Sequence, residues 1–191
     1  RFLDTGIMYR ALSVAAIKED IDSTDKIELC RLAKTIFVEF DDNSKLAKSI
    51  KINGYDVTSL LRNTEVNRLV STISKIPEIR KILVTNQREL SKHHSIIMVG
   101  RDIGTNVLKN ASNKFYLEAS PIIRAQRRFA ELNSSSDITL GQVLEDIKHR
   151  DTVDSTRSHA PLRKASDAIL VNTDDLNIDQ TVSIILKSIK C

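Results

Sequence analysis

Arg101 and Asp102 stand between Gly100 and Gly104 in the stretch MVGRDIGT, directly after the apolar run Ile96 to Val99. A guanidinium is a permanent cation whose planar fork of donors matches phosphate oxygens, and a carboxylate is an acceptor that can read a donor group. A second group has the same chemistry. Arg150, Asp154 and Arg157 are spaced four and three residues apart, which puts all three on one face if the segment is helical. Arg10, Arg80, Arg127 and Arg128 add fixed cations near element ends or on amphipathic segments. Phosphoryl transfer is the reaction class that uses such residues best, because there the protein contributes positioning and charge stabilisation and little covalent chemistry. A solvated helix face explains any one of these arginines equally well, and only their joint arrangement points to phosphate. No Cys–His or Ser–His–Asp arrangement competes. The histidines His93, His94, His149 and His159 lack metal-ligand spacing with acidic partners, so no protein metal site is expected.

The elements that must carry these residues follow from the apolar periodicity. A strand end at Phe2-Leu3 passes through Asp4-Thr5-Gly6 into a helix with Met8, Leu12, Ala15 and Ala16 at helical spacing. Residues 27 to 35 read as a helix, while TIFVEF (35 to 40) and SIKIN (48 to 52), joined by DDNSKLAK, read as a β-hairpin. Beyond Gly54 another helical region is expected, then a helix started by Pro77 with Ile79, Ile82, Leu83 and Leu90 on its apolar stripe. Ile96 to Val99 is expected to fill a strand covered on both faces, with Arg101 and Asp102 at the rim where open α/β sheets bind ligands.

Past Gly104 a short helix leads to the strand KFYLEA (114 to 119), and Ser120-Pro121 supplies a helix cap and first-turn proline. Ile122, Ala125, Phe129 and Leu132 are expected to face the core. NSSSD (133 to 137) reads as a flexible link, and Thr139 with Gln142 as a capping box for a helix carrying Leu140, Val143, Leu144 and Ile147. AILVN (168 to 172) is expected to be a buried strand, followed by a helix with Ile178, Val182, Ile185, Leu186 and Ile189 on one stripe. Alternating strands and helices imply an α/β fold with a mainly parallel sheet and the hairpin as an insertion.

With 41% hydrophobic and 28% charged residues, the 191-residue chain has ordinary globular composition and is long enough for a substantial core. No apolar run approaches the roughly 18 residues of a membrane span, and the first residues lack the apolar centre of a signal peptide. Cys30 and Cys191 suggest no disulfide framework, which fits a reducing cytoplasm. The excess of 29 Lys and Arg over 25 Asp and Glu suits an anionic partner without naming one. Nucleic acid is not expected, since five Phe and three Tyr at mostly core-like positions offer no stacking platform.

Six segments, LDTGIMYRAL, INGYDVTSLLR, TEVNRLVSTISKIPEIRKILVTNQREL, GRDIGTNV, ASPIIRAQRRFAEL and RDTVDSTRSHAPLRKASDAILVNT, together resemble bacterial-type cytidylate kinase, in order and through nearly the whole chain. The resemblance implies a P-loop nucleoside-monophosphate kinase fold in three layers. It also implies a nucleotide-monophosphate insert at about 36–90 and a helical lid at about 124–158. It further implies a cytoplasmic monomer that transfers the γ-phosphoryl group of ATP, with Mg²⁺, to CMP or dCMP, giving CDP or dCDP. Carried over by position, the CMP-contacting residues are Thr5, Arg10, Ser71, Arg80, Asp102, Arg150, Asp154 and Arg157. Arg101, Arg127 and Arg128 would join Arg150 and Arg157 around the transferred phosphoryl group. Asp102, with Ser71 and Arg80, would tell the exocyclic amine of cytosine from the oxygen of uracil.

Two departures accompany the resemblance. The family begins with a strand and a GxxxxGK[ST] phosphate loop, and none of the 191 residues forms that motif. The first strand and loop are therefore expected to be absent, and these residues alone are expected to be inactive. The alternative is a catalytically inactive CMP-binding pseudo-kinase. The second departure is Val99, where the family usually has an acidic residue before Gly-Arg-Asp.

Overall fold

The computed structural model describes residues 1–41, 49–92, 95–132 and 138–189, which form an α/β chain in two compact units, Arg1–Gly100 and Arg101–Cys191. His93, His94, Cys191, the NSSSD link and most of the hairpin connection lie outside the described residues.

In the first unit, β1 (Phe2–Asp4) runs parallel to β5 (Ile97–Val99), in a register that sets Leu3 beside Met98 and Asp4 beside Val99. The chain leaves β1 directly into α1 (Thr5–Lys18), because the Asp4 side chain accepts the Gly6 N–H at 2.9 Å and caps the helix. A Cβ at Gly6 would lie 3.1 Å from Asp4 Oδ1, so the tight entry favours glycine. Three helices follow in order, α2 (Lys26–Thr35), α3 (Thr64–Ile73) and α4 (Pro77–Lys92), the last starting at the expected proline. The hairpin is present as β2 (Val38–Asp41) and β3 (Ser49–Ile52), and β4 (Tyr55–Asp56) extends it to a three-stranded antiparallel sheet. Asn53 and Gly54 make the turn between β3 and β4 with φ of 48° and 84°, which asparagine tolerates and glycine adopts freely. A 3₁₀ turn at Thr58–Arg62 then leads into α3.

The core of this unit is Leu3, Leu12, Leu29, Ile73, Ile79 and Leu83, all nearly inaccessible to solvent. Cys30 packs against that core as a free, partly buried thiol. Burial chiefly, and then the negative charge of Glu78, raises its pKa, while Lys34 works in the opposite direction. Any stability linked to the protonated thiol is present below its ordinary titration range and is lost as pH rises through the raised value. Iodoacetamide at mildly alkaline pH is expected to alkylate Cys30 more slowly in the folded chain than in urea, followed by peptide mass spectrometry. Equal rates would show the thiol to be unprotected.

In the second unit, a single π-type turn (Ile103–Val107) takes the place of the expected short helix. β6 (Phe115–Glu118) pairs in parallel with β7 (Ile169–Asn172). α5 (Pro121–Glu131) starts at the Ser120 cap, and the Thr139–Gln142 capping box opens α6 (Leu140–Thr156). α7 (Ile178–Ser188) has its own capping box, Asn177 with Gln180. Among the described residues, the buried apolar side chains here are Val107, Ala125, Val143 and Val171.

Several expected core positions are exposed. Ile97 and Val99 on β5, Leu170 on β7, Ile122 and Phe129 on α5, and Ile178, Val182, Leu186 and Ile189 along the α7 stripe are all accessible. Ile96 to Val99 is therefore not covered on both faces, and AILVN contributes only Val171 to the interior. Alternation and helical spacing identify which faces are apolar but not what covers them, and among the described residues each parallel sheet has two strands. The single mainly parallel sheet of the expectation is, among the described residues, two parallel pairs and the antiparallel hairpin sheet.

Candidate active site

Each unit gathers its own set of the expected residues. In the first, Thr5 is buried at the start of α1 and its Oγ1 donates to the Val99 carbonyl at 3.1 Å, tying the helix to the end of β5. One and a half turns on, Arg10 reaches the 3₁₀ turn and α3. Its Nη1 donates to Leu61 O at 3.0 Å and to Asn67 Oδ1 at 2.5 Å. Asn67 also accepts, through its carbonyl, from Ser71 Oγ at 3.4 Å, so Arg10 and Ser71 share one neighbour. Ser71 itself is exposed. Arg80, on α4, is only 6% exposed although charged. Its guanidinium carbon lies 5.7 Å from the centre of the Tyr9 ring, and its Nη1 donates to Ser74 O at 3.3 Å. A ring face attracts a cation, so Tyr9 offsets part of the desolvation of that charge.

The second unit holds a chain of alternating charges. Asp154 on α6 is 7% exposed. Arg101 Nε lies 3.2 Å from its Oδ2, Arg157 Nη1 3.6 Å from its Oδ1, and Arg150 Nε 3.9 Å from its Oδ2. Arg157 Nη2 in turn stands 3.7 Å from Asp102 Oδ1, so both aspartates and three arginines form one group. The helical spacing of Arg150 and Asp154 is realised, whereas α6 ends at Thr156 and Arg157 is extended at its C-cap. Arg157 still points back because its Nε donates to Ala160 O at 2.6 Å, and the Leu162 N–H donates to Asp154 O at 2.8 Å, folding the following loop over the helix end. Asp102 is buried, and its Oδ2 accepts from Asn106 Nδ2 at 3.0 Å. The buried Asp154 Oδ2 has no hydrogen-bond donor aligned on it among the described residues. A buried acceptor in that condition suits an incoming hydroxyl.

Arg127 and Arg128 are not brought to this group. The Arg127 fork donates to the carbonyl oxygens of Thr173, Asp174 and Leu176 and to Thr173 Oγ1, pinning the turn after β7. Arg128 pairs with Glu131 one turn along α5. Three participants were not singled out from the sequence. Asn67 precedes Ser71 by one helical turn, and that spacing is a signal that could have found it. Arg124 and Asp151 form a bidentate pair between α5 and α6, with distances of 3.0 and 2.6 Å. Their side chains come from segments 27 residues apart, which periodicity cannot relate. Among the described residues no cluster of three His, Cys, Asp or Glu could hold a metal ion, and no helix is long and apolar enough to cross a membrane.

Guanidinium forks can bind phosphate oxygens and carboxylates can accept from donor groups, so this set of side chains has the chemistry that a nucleotide requires. The Cytidylate kinase family profile matches residues 1–191. A cytidylate kinase of Desulforamulus reducens is 40% identical over 186 residues, 97% of this chain and 83% of the relative. The cytidylate kinase of Bacillus subtilis strain 168 is 38% identical over 190 residues, 99% of this chain and 84% of the relative. A bifunctional pantoate ligase/cytidylate kinase of Prochlorococcus marinus is 42% identical over 187 residues, 97% of this chain but only 37% of that longer protein. The chain belongs to the cytidylate kinase family. The match runs through the whole chain, and it lends no support to the expected absence of a first strand and phosphate loop.

Proposed function

We propose that this chain serves an enzyme that transfers the γ-phosphoryl group of ATP to CMP or dCMP, giving CDP or dCDP. The observation that carries the reading is the buried Asp154 carboxylate with Arg101, Arg150 and Arg157 within 3.9 Å, in a chain of this family. In the first unit, Arg10 takes the CMP phosphate, Thr5 orients the start of α1 beside it, and Arg80 with Ser71 reads the base. In the second, Asp102 accepts from the cytosine amine and Asp154 from ribose hydroxyls. Arg101, Arg150 and Arg157 balance the charge that develops on the transferred group. Arg127 holds the turn after β7 and Arg128 stays on the α5 surface. Residues about 36–90 act as the monophosphate insert and about 124–158 as the lid. Mg²⁺ enters on the nucleotide phosphates, as that ion usually does.

Asp102→Asn tests the reading of the base. An amide offers a donor as well as an acceptor, so discrimination of CMP against UMP is expected to fall by about tenfold, with CMP affinity changed less. Unchanged selectivity by calorimetric titration would move that role to another residue.

Binding and turnover are expected to separate in the 191 residues taken alone. They contain no GxxxxGK[ST] stretch, and scattered arginines do not replace a ring of backbone amides aimed at the ATP β- and γ-phosphates. With ATP, Mg²⁺ and CMP, this chain is expected to bind CMP but form no CDP. Robust CDP formation would show that other residues cradle ATP.

A further inference from the structure

The Arg124–Asp151 pair belongs to no role assigned above, yet it touches the arginine group. Arg124 is anchored by its Nε, which donates to Ala119 O at 2.9 Å, and its two terminal nitrogens grip both Asp151 oxygens at 3.0 and 2.6 Å. The same Asp151 Oδ1 lies 3.9 Å from Arg101 Nη1, beyond hydrogen-bond distance. Arg101 therefore has one carboxylate nearby that is held by another cation. It has a second, Asp154, at 3.2 Å without hydrogen-bond alignment. A carboxylate with both oxygens in one bidentate fork has little acceptor strength left for a second guanidinium. Apart from Arg124, the cation within ion-pair distance of Asp151 among the described residues is Arg101, at 3.9 Å, and rotation of the Asp151 side chain would close the gap.

We propose that Arg124 is a positioning residue that holds the Asp151 carboxylate off Arg101 and so keeps the Arg101 fork open to a phosphate. This rests on the reading that Arg101 faces the transferred phosphoryl group. Arg124 touches no substrate in this account and acts through the state of its neighbour's counter-ion. A structural staple between α5 and α6 would use the same bond, but its removal would not be repaired by also deleting the carboxylate. That difference separates the two explanations.

CDP has the β-phosphate that CMP lacks, so affinities for the two nucleotides report on Arg101 and on the rest of the site separately. Calorimetric titrations of the 191-residue chain and its Arg124→Gln and Arg124→Gln/Asp151→Asn variants make the test. Arg124→Gln is expected to weaken CDP binding by about tenfold, the scale of one lost charge-assisted hydrogen bond, while CMP affinity changes less than about twofold. The double variant is expected to regain CDP affinity to within about threefold of the parent chain, because the competing carboxylate is gone. If Arg124→Gln does not fold, Arg124→Lys serves in its place, since lysine keeps the charge without the fork and is expected to show a smaller fall. Unchanged CDP affinity in the single variant, or a double variant as weak as the single, would overturn the proposal while leaving the nucleotide reading intact. Failure of the parent chain to bind CMP would overturn both.

Discussion

Replacing Asp154 with alanine is expected to destabilise the Arg101–Cys191 unit by about 3–5 kcal/mol, the scale measured when one partner of a buried ion group is removed. The residue is 7% exposed, and three guanidinium groups approach its carboxylate at 3.2, 3.6 and 3.9 Å. Its loss leaves Arg101, Arg150 and Arg157 as neighbouring like charges, with Asp102 as the remaining carboxylate beside Arg157. The unit has little to absorb that cost, since among its described residues the buried apolar ones are Val107, Ala125, Val143 and Val171. Urea unfolding followed by circular dichroism measures the effect. Salt should narrow the gap between variant and parent, because it screens the uncovered repulsion. A midpoint within error of the parent at low salt would mean that Asp154 is not the counter-ion of this group.

Arg80→Met is expected to weaken CMP binding by about 100-fold with little change in unfolding midpoint. Methionine retains an apolar stem of similar length, and replacing a buried charge by a packed apolar side chain is often neutral for stability. Arg80 is only 6% exposed, with its guanidinium carbon 5.7 Å from the centre of the Tyr9 ring, and the role proposed for it is to donate to the base. Two charge-assisted hydrogen bonds to the base at about 1.5 kcal/mol each amount to about 3 kcal/mol, or about 100-fold in affinity. CMP affinity within about threefold of the parent would assign Arg80 to the packing of α1 against α4 instead.

Local chemistry made the helix starts legible: Pro77, Ser120 with Pro121, and Thr139 with Gln142 each act within one turn of their own position. The hairpin was legible for the same reason, although β4 was not, because two residues cannot display an alternation. The Asn177–Gln180 box carries the same spacing as the box at Thr139 and could have been read from it. Burial was less legible. Leu170 and Leu186 have core-like spacing and are half or more exposed, since spacing tells which side of an element is apolar but not what covers it. Within the site, the pairing of Arg150 with Asp154 followed from helical geometry. The approach of Arg101 to Asp154, and the diversion of Arg127 to the turn after β7, join segments about fifty residues apart and appear only in the folded chain.

The central claim is that the buried aspartates and forked cations select cytidine monophosphate. Its most direct test is a set of calorimetric titrations of the 191-residue chain with CMP, UMP and AMP at one salt concentration. The account predicts that CMP binds at least about tenfold more tightly than either competitor, because uracil has an oxygen where cytosine offers Asp102 an amine, and the two-ring adenine carries its amine at a different distance from the ribose. Equal affinity for the three nucleotides would contradict it, leaving a site that recognises phosphate and ribose but not the base.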